Sequence, residues 1–270
     1  MNRSWMTLRG SALVAVPLAL IAVLGGCSKK SEGQPASGSA SPPPVASAPP
    51  SAKSVKFVID AKGTTSIDMP APKEHIKADT TAAKGHIDLD PTNLASSRGE
   101  VQVDLTTLTT HTFSDESQNK DQTKHARTWL QAVVDGKTLE EYRWAVLTID
   151  SVDALSAPDV TKVAPVKEGS DDVRTVTMTV HGRFYVHKAS VPKEANVEVK
   201  FHYPAGAAAD SKPSSLEIKT TKSLHIVLKD HDIEPRDPFG SVAQGALHLL
   251  GTKVADTADI TVELKAAPAP

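Results

Sequence analysis

The chain of 270 residues carries 30 basic and 32 acidic side chains, a formal charge of −2. This balance excludes the strongly basic surface with which proteins bind nucleic acids or, through a polybasic patch, anionic membranes. A single cysteine excludes an internal disulfide, so the stability of the folded part must come from its own core.

The first 26 residues have the layout of a secretory signal peptide. Arg3 and Arg9 give a positive start, and an apolar run of about a dozen residues follows at 12–23. A helix that spans a bilayer needs about twenty apolar residues, and Pro17 interrupts this shorter run. A cleaved signal peptide at 1–26 is therefore expected rather than a permanent span. Its removal takes away two arginines and no acids and leaves a formal charge of −4.

The only cysteine, Cys27, follows Leu24, Gly25 and Gly26. This resembles the bacterial lipobox, in which an aliphatic residue and two small ones precede a cysteine. The resemblance implies that the Cys27 thiol is joined to diacylglycerol, that cleavage makes Cys27 the first residue, and that its amine is acylated. Two or three acyl chains, at about 0.8 kcal/mol per buried methylene, form a lasting membrane anchor. The alternative is an ordinary cleavage site beside a chance cysteine.

The segment at 27–54 is predicted to be the lipidated cysteine followed by a flexible stalk. Ser, Pro, Ala and Gly dominate it, and Val45 is its single large apolar residue. Such a segment cannot bury enough apolar surface to offset the entropy of ordering. It would reach about 30 Å as a coil and about 80 Å as polyproline II.

Ser28 follows the lipidated cysteine. In enterobacteria an aspartate at this position retains lipoproteins in the inner membrane, so Ser28 favours the outer membrane. We therefore expect a protein that is anchored to a membrane of the bacterial envelope and faces the periplasm. No protein partner can be inferred from the sequence.

Residues 55–267 are predicted to form one all-β domain, with a loose end at 268–270. Apolar and polar side chains alternate in several short segments, as in antiparallel strands with one buried face and one wet face. Clusters of Gly, Pro, Asp and Ser separate these segments, which favours a barrel or a sandwich. The apolar positions are Val101, Val103, Leu105, Val176, Met178, Val180, Val197, Val199, Phe201, Tyr203, Leu224, Ile226, Leu228, Ile260, Val262 and Leu264.

One segment, at 121–136, has helical spacing instead. Its apolar residues are Ala126, Trp129, Leu130, Val133 and Val134. Asp135 and Gly136 are predicted to end the helix. An isolated amphipathic helix among strands is typical of one that packs over an open barrel end or a sheet edge.

No motif in the sequence points to catalysis. The chain has no G-x-S-x-G, H-E-x-x-H or C-x-x-C and no phosphate-binding glycine loop. Its ten histidines invite a metal hypothesis. However, His181 and His187, like His225 and His231, are six residues apart, which is about 20 Å along one strand. No metal, no cofactor and no enzymatic activity are therefore expected.

The order of segments over 55–267 resembles the YceI-like family of bacterial periplasmic proteins. The resemblance is carried by G-x-I-x-L-D-x-x-x-L at 85–94, the strand "VQVDL" at 101–105 and the turn "HGRFYVHK" at 181–188. The segment "EPRDPFG" at 234–240 is similar to the Arg-x-Asp-Phe-Gly of the family with one proline interposed. Two segments depart from the family by their extra length, at 115–143 and 154–172.

The resemblance implies an antiparallel, lipocalin-like β-barrel with one or two short helices. The family holds a polyisoprenoid or an isoprenoid quinone in an elongated apolar tunnel. A barrel of about eight strands has room for packed side chains or for one small ligand. The candidate cavity residues are Val176, Met178, Val180, Val197, Val199, Phe201, Tyr203, Leu224, Ile226 and Leu228. From alternation alone, a solid core is an equal alternative, and the domain would then be a ligand-free structural or interaction module.

The lipobox hypothesis predicts the behaviour of one variant. Cys27→Ser is expected to abolish lipidation and to leave either an uncleaved precursor or a soluble periplasmic product. Detergent-phase partitioning and the size of the immunoblotted band measure this. A mature-sized band that still enters the detergent phase would contradict the hypothesis.

Overall fold

The computed structural model describes residues 51, 53–70, 75–208, 210–234 and 255–270. The signal peptide, Cys27, most of the predicted stalk and residues 235–240 of the "EPRDPFG" segment lie outside these ranges. No helix within them has both the length and the apolar composition needed to cross a bilayer.

The described chain is mainly antiparallel β-structure. Its strands are β1 (Val55–Ile59), β2 (Thr64–Met69), β3 (Ile76–Thr80), β4 (Ala83–Leu89), β5 (Arg98–Asp104), β6 (Thr109–Thr110), β7 (Val133–Val134), β8 (Lys137–Thr138), β9 (Trp144–Asp153), β10 (Val166–Glu168), β11 (Asp171–Val186), β12 (Ala189–Pro204), β13 (Ser215–Thr220), β14 (Leu224–Val227) and β15 (Thr257–Pro268). Its helices are α1 (Glu116–Trp129) and the 3₁₀ turns Leu94–Ser96, Leu105–Thr107, Glu140–Tyr142, Val160–Lys162 and Leu228–His231.

Eight strands form a closed ring in the order β1-β4-β5-β9-β11-β12-β13-β15. The ring closes where β15 pairs with β1. Short stretches of two to four residues separate β1 from β2, β3 from β4, β5 from β6 and β13 from β14, so each of these pairs forms one interrupted strand of the barrel. The predicted all-β class, the antiparallel barrel and the small number of helices are confirmed.

Burial alternates along the two longest strands, β11 and β12, of 16 residues each. Val176, Met178 and Val180 are buried on the inner face of β11, whereas the intervening Thr177 is exposed. This is the period-two pattern expected for a strand with one dry side and one wet side.

The two ends of the barrel differ. At the closed end, the connections at 90–97 and 154–170 pack inward, and Leu94 and Val160 are fully buried. Here the buried Arg174 donates from Nη1 to the carbonyl oxygens of Val160 (3.2 Å) and Thr161 (2.8 Å). The open end carries residues 111–143, the β11–β12 turn and the 3₁₀ turn Leu228–His231.

The chain joins the barrel at the closed end. Ser51 Oγ donates to Asp90 Oδ2 (2.8 Å), and the backbone nitrogen of Ser54 donates to the oxygen of Ser51 (2.9 Å). Burial raises the pKa of Asp90, but hydrogen bonds from Thr92 and Ser51 outweigh it and hold the pKa below its ordinary value. Ser51, assigned to the stalk from the sequence, thus contacts the folded domain.

The predicted helix at 121–136 was wrong at both ends. The helix begins earlier because the side chain of Asp115 caps it, accepting from the backbone nitrogens of Ser117 (2.7 Å) and Gln118 (3.1 Å). It ends at Trp129. Asp135 and Gly136 both have positive φ and form the two-residue turn of the β7–β8 hairpin, a turn that Asp-Gly strongly favours.

The segment "HGRFYVHK" is mainly strand rather than turn. Residues 181–186 belong to β11, with a break in register between His181 and Gly182 where β11 pairs with β9. Only His187 and Lys188, both at positive φ, make the turn into β12.

Because Gly182 lies at the register break, replacing it with alanine is expected to destabilise the fold strongly. A β-carbon on Gly182 would lie 1.7 Å from the carbonyl oxygen of Thr148. Gly182→Ala is therefore expected to lower the free energy of unfolding by about 3–4 kcal/mol, because the strand pair must separate. Gly169→Ala is the control, since its Cβ would meet open space and only its positive φ costs energy, about 1 kcal/mol. Equal losses in urea unfolding would contradict the steric explanation.

Candidate functional site

The inner faces of the strands enclose an elongated cavity of about 420 Å³. It extends from Leu89 and Ser97, near the closed end, to Trp129 and Ile233 at the open end. This volume lies within the range of sites that bind small molecules, about 300–1,000 Å³. The barrel is therefore not the solid core that alternation alone left possible.

Seven of the ten candidate cavity residues line this cavity. They are Met178, Val180, Val197, Val199, Leu224, Ile226 and Leu228. Further lining residues come from segments whose alternation was recognised but which were not named as candidates: Val101, Val103, Leu105, Ile260, Val262 and Leu264.

Val176, Phe201 and Tyr203 do not line the cavity, which corrects the prediction for these three. They are 0%, 0% and 2% exposed and belong to the packed closed end. The Tyr203 ring centroid lies 5.1 Å from the guanidinium carbon of Arg174. Alternation shows which residues of a strand point inward, but it does not show where along the barrel axis the cavity ends. The strands β11 and β12 extend past the end of the cavity into the packed closed end.

The contribution of β2, β3, β4 and β9 to the lining was not predicted from the sequence. Residues lining the cavity from these strands are Thr65, Ile67, Met69, Ile76, Ala78, Ile87, Leu89, Ala145, Leu147, Ile149 and Val152. The segment "GHIDLD" at 85–90 shows the signal that could have found Ile87 and Leu89, since both alternate with polar residues.

Helix α1 lies across the open end and contributes Gln122, His125, Ala126 and Trp129 to the lining. Hydrogen bonds attach it to the barrel: Thr112 Oγ1 donates to Gln122 Oε1 (2.7 Å), and Arg127 Nε donates to the Leu108 carbonyl (2.9 Å). His125 both lines the cavity and is exposed to solvent. The cavity thus opens beside α1.

The lining is almost entirely apolar. Among the described lining residues none is Lys, Arg, Asp or Glu, and the polar ones are Thr65, Ser97, Gln122, His125 and Thr220. Ser97 Oγ donates to the Leu94 carbonyl (2.7 Å), and Thr220 Oγ1 accepts from the Val262 nitrogen (3.1 Å). Since an unpaired charge is costly in such an enclosure, the cavity suits an uncharged apolar molecule.

A pair of histidines ties the rim of the open end together. His187 Nδ1 donates to the carbonyl oxygen of His231 (3.0 Å), and His231 Nδ1 donates to that of Ala189 (3.3 Å). Gln131 Nε2 donates to His187 Nε2 (2.7 Å). These bonds hold the 3₁₀ turn that carries the lining residue Leu228 against the β11–β12 turn. Across the described chain, no group of three His, Cys, Asp or Glu side chains is placed to hold a metal ion.

No family model and no curated protein matches the chain. Several solved structures are similar to it, including the following two. A polyisoprenoid binding domain from Saccharophagus degradans, implicated in plant cell wall breakdown, has a TM-score of 0.47 and 13% identity, covering 80% of this chain and 99% of that chain. BcnA of Burkholderia cenocepacia has a TM-score of 0.44 and 14% identity, covering 77% and 98%. At 13% and 14% sequence identity, the polyisoprenoid in the name of the first structure describes that protein and is not transferred to this chain.

The buried histidine at the rim predicts a pH dependence of stability. Burial lowers the pKa of His231, so the folded chain keeps this ring neutral where an unfolded chain would protonate it, below about pH 6.5. The contribution of neutral His231 to the free energy of unfolding is therefore fully present above about pH 6.5 and is lost as the pH falls toward the lowered pKa of His231. Melting temperatures of the parent and of His231→Gln, measured from pH 7.5 to 5, should show a smaller decrease in the variant. Parallel curves would contradict this role.

Proposed function

We propose that this chain is a YceI-like, non-catalytic lipid-binding protein of the bacterial envelope. It binds, stores or carries an uncharged polyisoprenoid or isoprenoid quinone in the barrel cavity. Cys27 anchors it to a membrane, with the outer membrane favoured over the inner, and the domain faces the periplasm. The observation that carries the proposal is the continuous apolar cavity with an opening beside α1.

The hydrophobic effect supplies the affinity for the ligand. Each Å² of apolar tail surface removed from water contributes about 25 cal/mol, and this gain must exceed the cost of immobilising the ligand. A long, apolar chain matches an elongated cavity that offers few polar atoms in need of partners. No turnover is required for such a role.

The polar head of the ligand belongs at the open end. The polar lining residues there are the buried Gln122 and the solvent-exposed His125, one turn apart on α1. A quinone carbonyl or a prenol hydroxyl can hydrogen-bond to such groups, whereas a phosphate would require cations that the described lining does not supply.

The same lining argues against catalysis. His125 is the one titratable residue among the described lining residues, so no acid–base pair or activated nucleophile faces the cavity. The competing hypothesis, a ligand-free structural or interaction module, provides no reason for an apolar cavity of about 420 Å³.

The identity of the cargo is measured most directly by mass spectrometry of an organic extract from purified protein. We expect an uncharged isoprenoid-type lipid. Repeated extracts without any lipid, together with failure of the purified protein to bind an added prenyl quinone, would favour the ligand-free module.

Val199 provides the sharper test. It lines the cavity from β12, and Val199→Arg places a charge where the tail would lie. Because water can enter the empty cavity and solvate the arginine, folding should survive while prenyl quinone binding falls tenfold or more. Thermal melting and quinone titration measure the two effects separately.

Thr177→Arg is the matched control for this variant. Thr177 lies on the neighbouring strand β11 but is exposed on the outer face, opposite Glu198. Its quinone affinity should equal that of the parent. A folded Val199→Arg protein with undiminished binding would refute the assignment of this face to the ligand, and an unfolded one would favour a packed interior.

A further inference from the structure

The aromatic side chains divide between the two ends of the barrel. At the closed end, Phe57, Phe201 and Tyr203 are fully or almost fully buried. The other described aromatic residues lie at the open end, and all but the buried Phe184 are partly exposed. We call these partly exposed residues the open-end aromatic surface: Phe113, Trp129, Tyr142, Trp144 and Tyr185.

Cations lie against two of these rings. Lys84 Nζ is 3.7 Å from the ring centroid of Trp144, and Lys188 Nζ is 4.2 Å from that of Tyr142. The guanidinium carbon of Arg143 lies 4.9 Å from the Trp144 ring. Tryptophan and tyrosine, with an apolar ring and a polar edge, are enriched where a bilayer meets water, and long basic side chains near them reach the headgroups.

The cavity opens within this surface. Trp129 belongs both to the open-end aromatic surface and to the cavity lining. A bilayer that met this surface would therefore lie next to the opening. An apolar molecule could then pass between the bilayer and the cavity with little exposure to water. The removal of its apolar surface from water is the main driving force for its binding.

The chain joins the barrel at the opposite end, where Ser51 contacts Asp90. From the length of the 16-residue strand β11, at about 3.3 Å per residue and a tilt of 35–45°, the barrel is about 40 Å long. Cys27 and Ser51 are 24 residues apart. A segment of this length spans about 25–30 Å as a random coil and at most about 75 Å as polyproline II.

We propose that the open-end aromatic surface docks on a phospholipid bilayer, and that this bilayer is not the one to which Cys27 is anchored. The inference rests on the proposed function for its cargo and anchor. A stalk attached at the closed end points the opening away from the anchoring membrane. To reach that same membrane, the stalk would have to stretch beyond its coil dimensions and run along the full barrel.

The first experiment tests docking without the anchor. Residues 27–270 with Cys27→Ser are mixed with vesicles of phosphatidylcholine and phosphatidylglycerol, part of the phosphatidylcholine being brominated in its acyl chains. Residues 27–270 contain two tryptophans, Trp129 and Trp144, and both lie at the open end, so vesicles should quench their fluorescence. Unquenched fluorescence would overturn the docking proposal without any reference to cargo.

Variants locate the contact. Tyr142→Gln combined with Trp144→Gln should reduce vesicle binding at least fivefold, while quinone binding in solution, measured as a check of folding, stays unchanged because neither residue lines the cavity. The matched control is Val166→Gln, an apolar side chain 64% exposed in β10 at the closed end. Equal loss in the control and the double variant would overturn the assignment of the surface.

The second experiment tests which membrane is reached. Lipidated protein is anchored in quinone-free vesicles and mixed with quinone-loaded vesicles of the same lipids. Deleting residues 31–46 leaves seven residues between Cys27 and Ser51, which then lie at most about 28 Å apart, too short a span to turn the opening back onto the anchoring membrane. Uptake from the second vesicles should remain within twofold of the parent rate.

The outcomes separate the two proposals. Loss of uptake on shortening the stalk, or uptake by the parent only from its own membrane, would overturn the inference while leaving lipid binding intact. Failure of the lipid-free chain to bind quinone in solution would instead refute the proposed cargo, and the fluorescence experiment would still decide whether the open end docks.

Discussion

The pairing of β15 with β1 is the constraint on which the structure depends. Phe57 pairs with Pro268 and Ile59 with Ala266, and these contacts turn a twisted sheet into a closed barrel with an interior. Over its 12 residues β15 also pairs with β13 and β14 on one side and with β2 on the other. Without this closure the apolar faces would have no enclosure, and two strand edges would be free to pair with other chains.

Closure alone does not decide whether the interior is filled. Large side chains and the inward connections fill the closed end, where Phe57, Phe201 and Tyr203 pack with Leu94 and Val160. Nearer the open end the lining is mainly Val, Ile, Leu and Ala, which are too small to meet across the barrel. The size of the side chains along each strand thus sets where packing ends and the cavity begins.

The sequence predicted the features that depend on local patterning. Period-two alternation placed Val197 and Val199 on the inner face, and Met178 and Val180 with them. Alternation could not distinguish these lining residues from Val176 and Phe201, which lie in the packed closed end. The position of a residue along the barrel axis depends on the stagger between neighbouring strands, and the sequence of one strand does not determine that stagger.

The helix shows the same limit. Its apolar positions were recognised, but the cap supplied by Asp115 and the hairpin around Asp135 and Gly136 competed for the same residues. Short-range turn chemistry outweighed the periodicity of Val133 and Val134, which were expected to continue the helix. The lining role of β2 and β3 was missed because Thr65 and Thr80, both buried, place polar residues on the inner face of these strands.

The separation of paired strands along the chain also orders the assembly of the barrel. β11 and β12 pair over their whole length across a two-residue turn, so this hairpin closes at small entropic cost. Phe57, by contrast, must find a partner 211 residues further along the chain. Contacts of such long range form slowly, so we expect the seam between β1 and β15 to form last. Until then the future cavity is an open apolar trough, whose strands expose their apolar faces to whatever the folding chain meets.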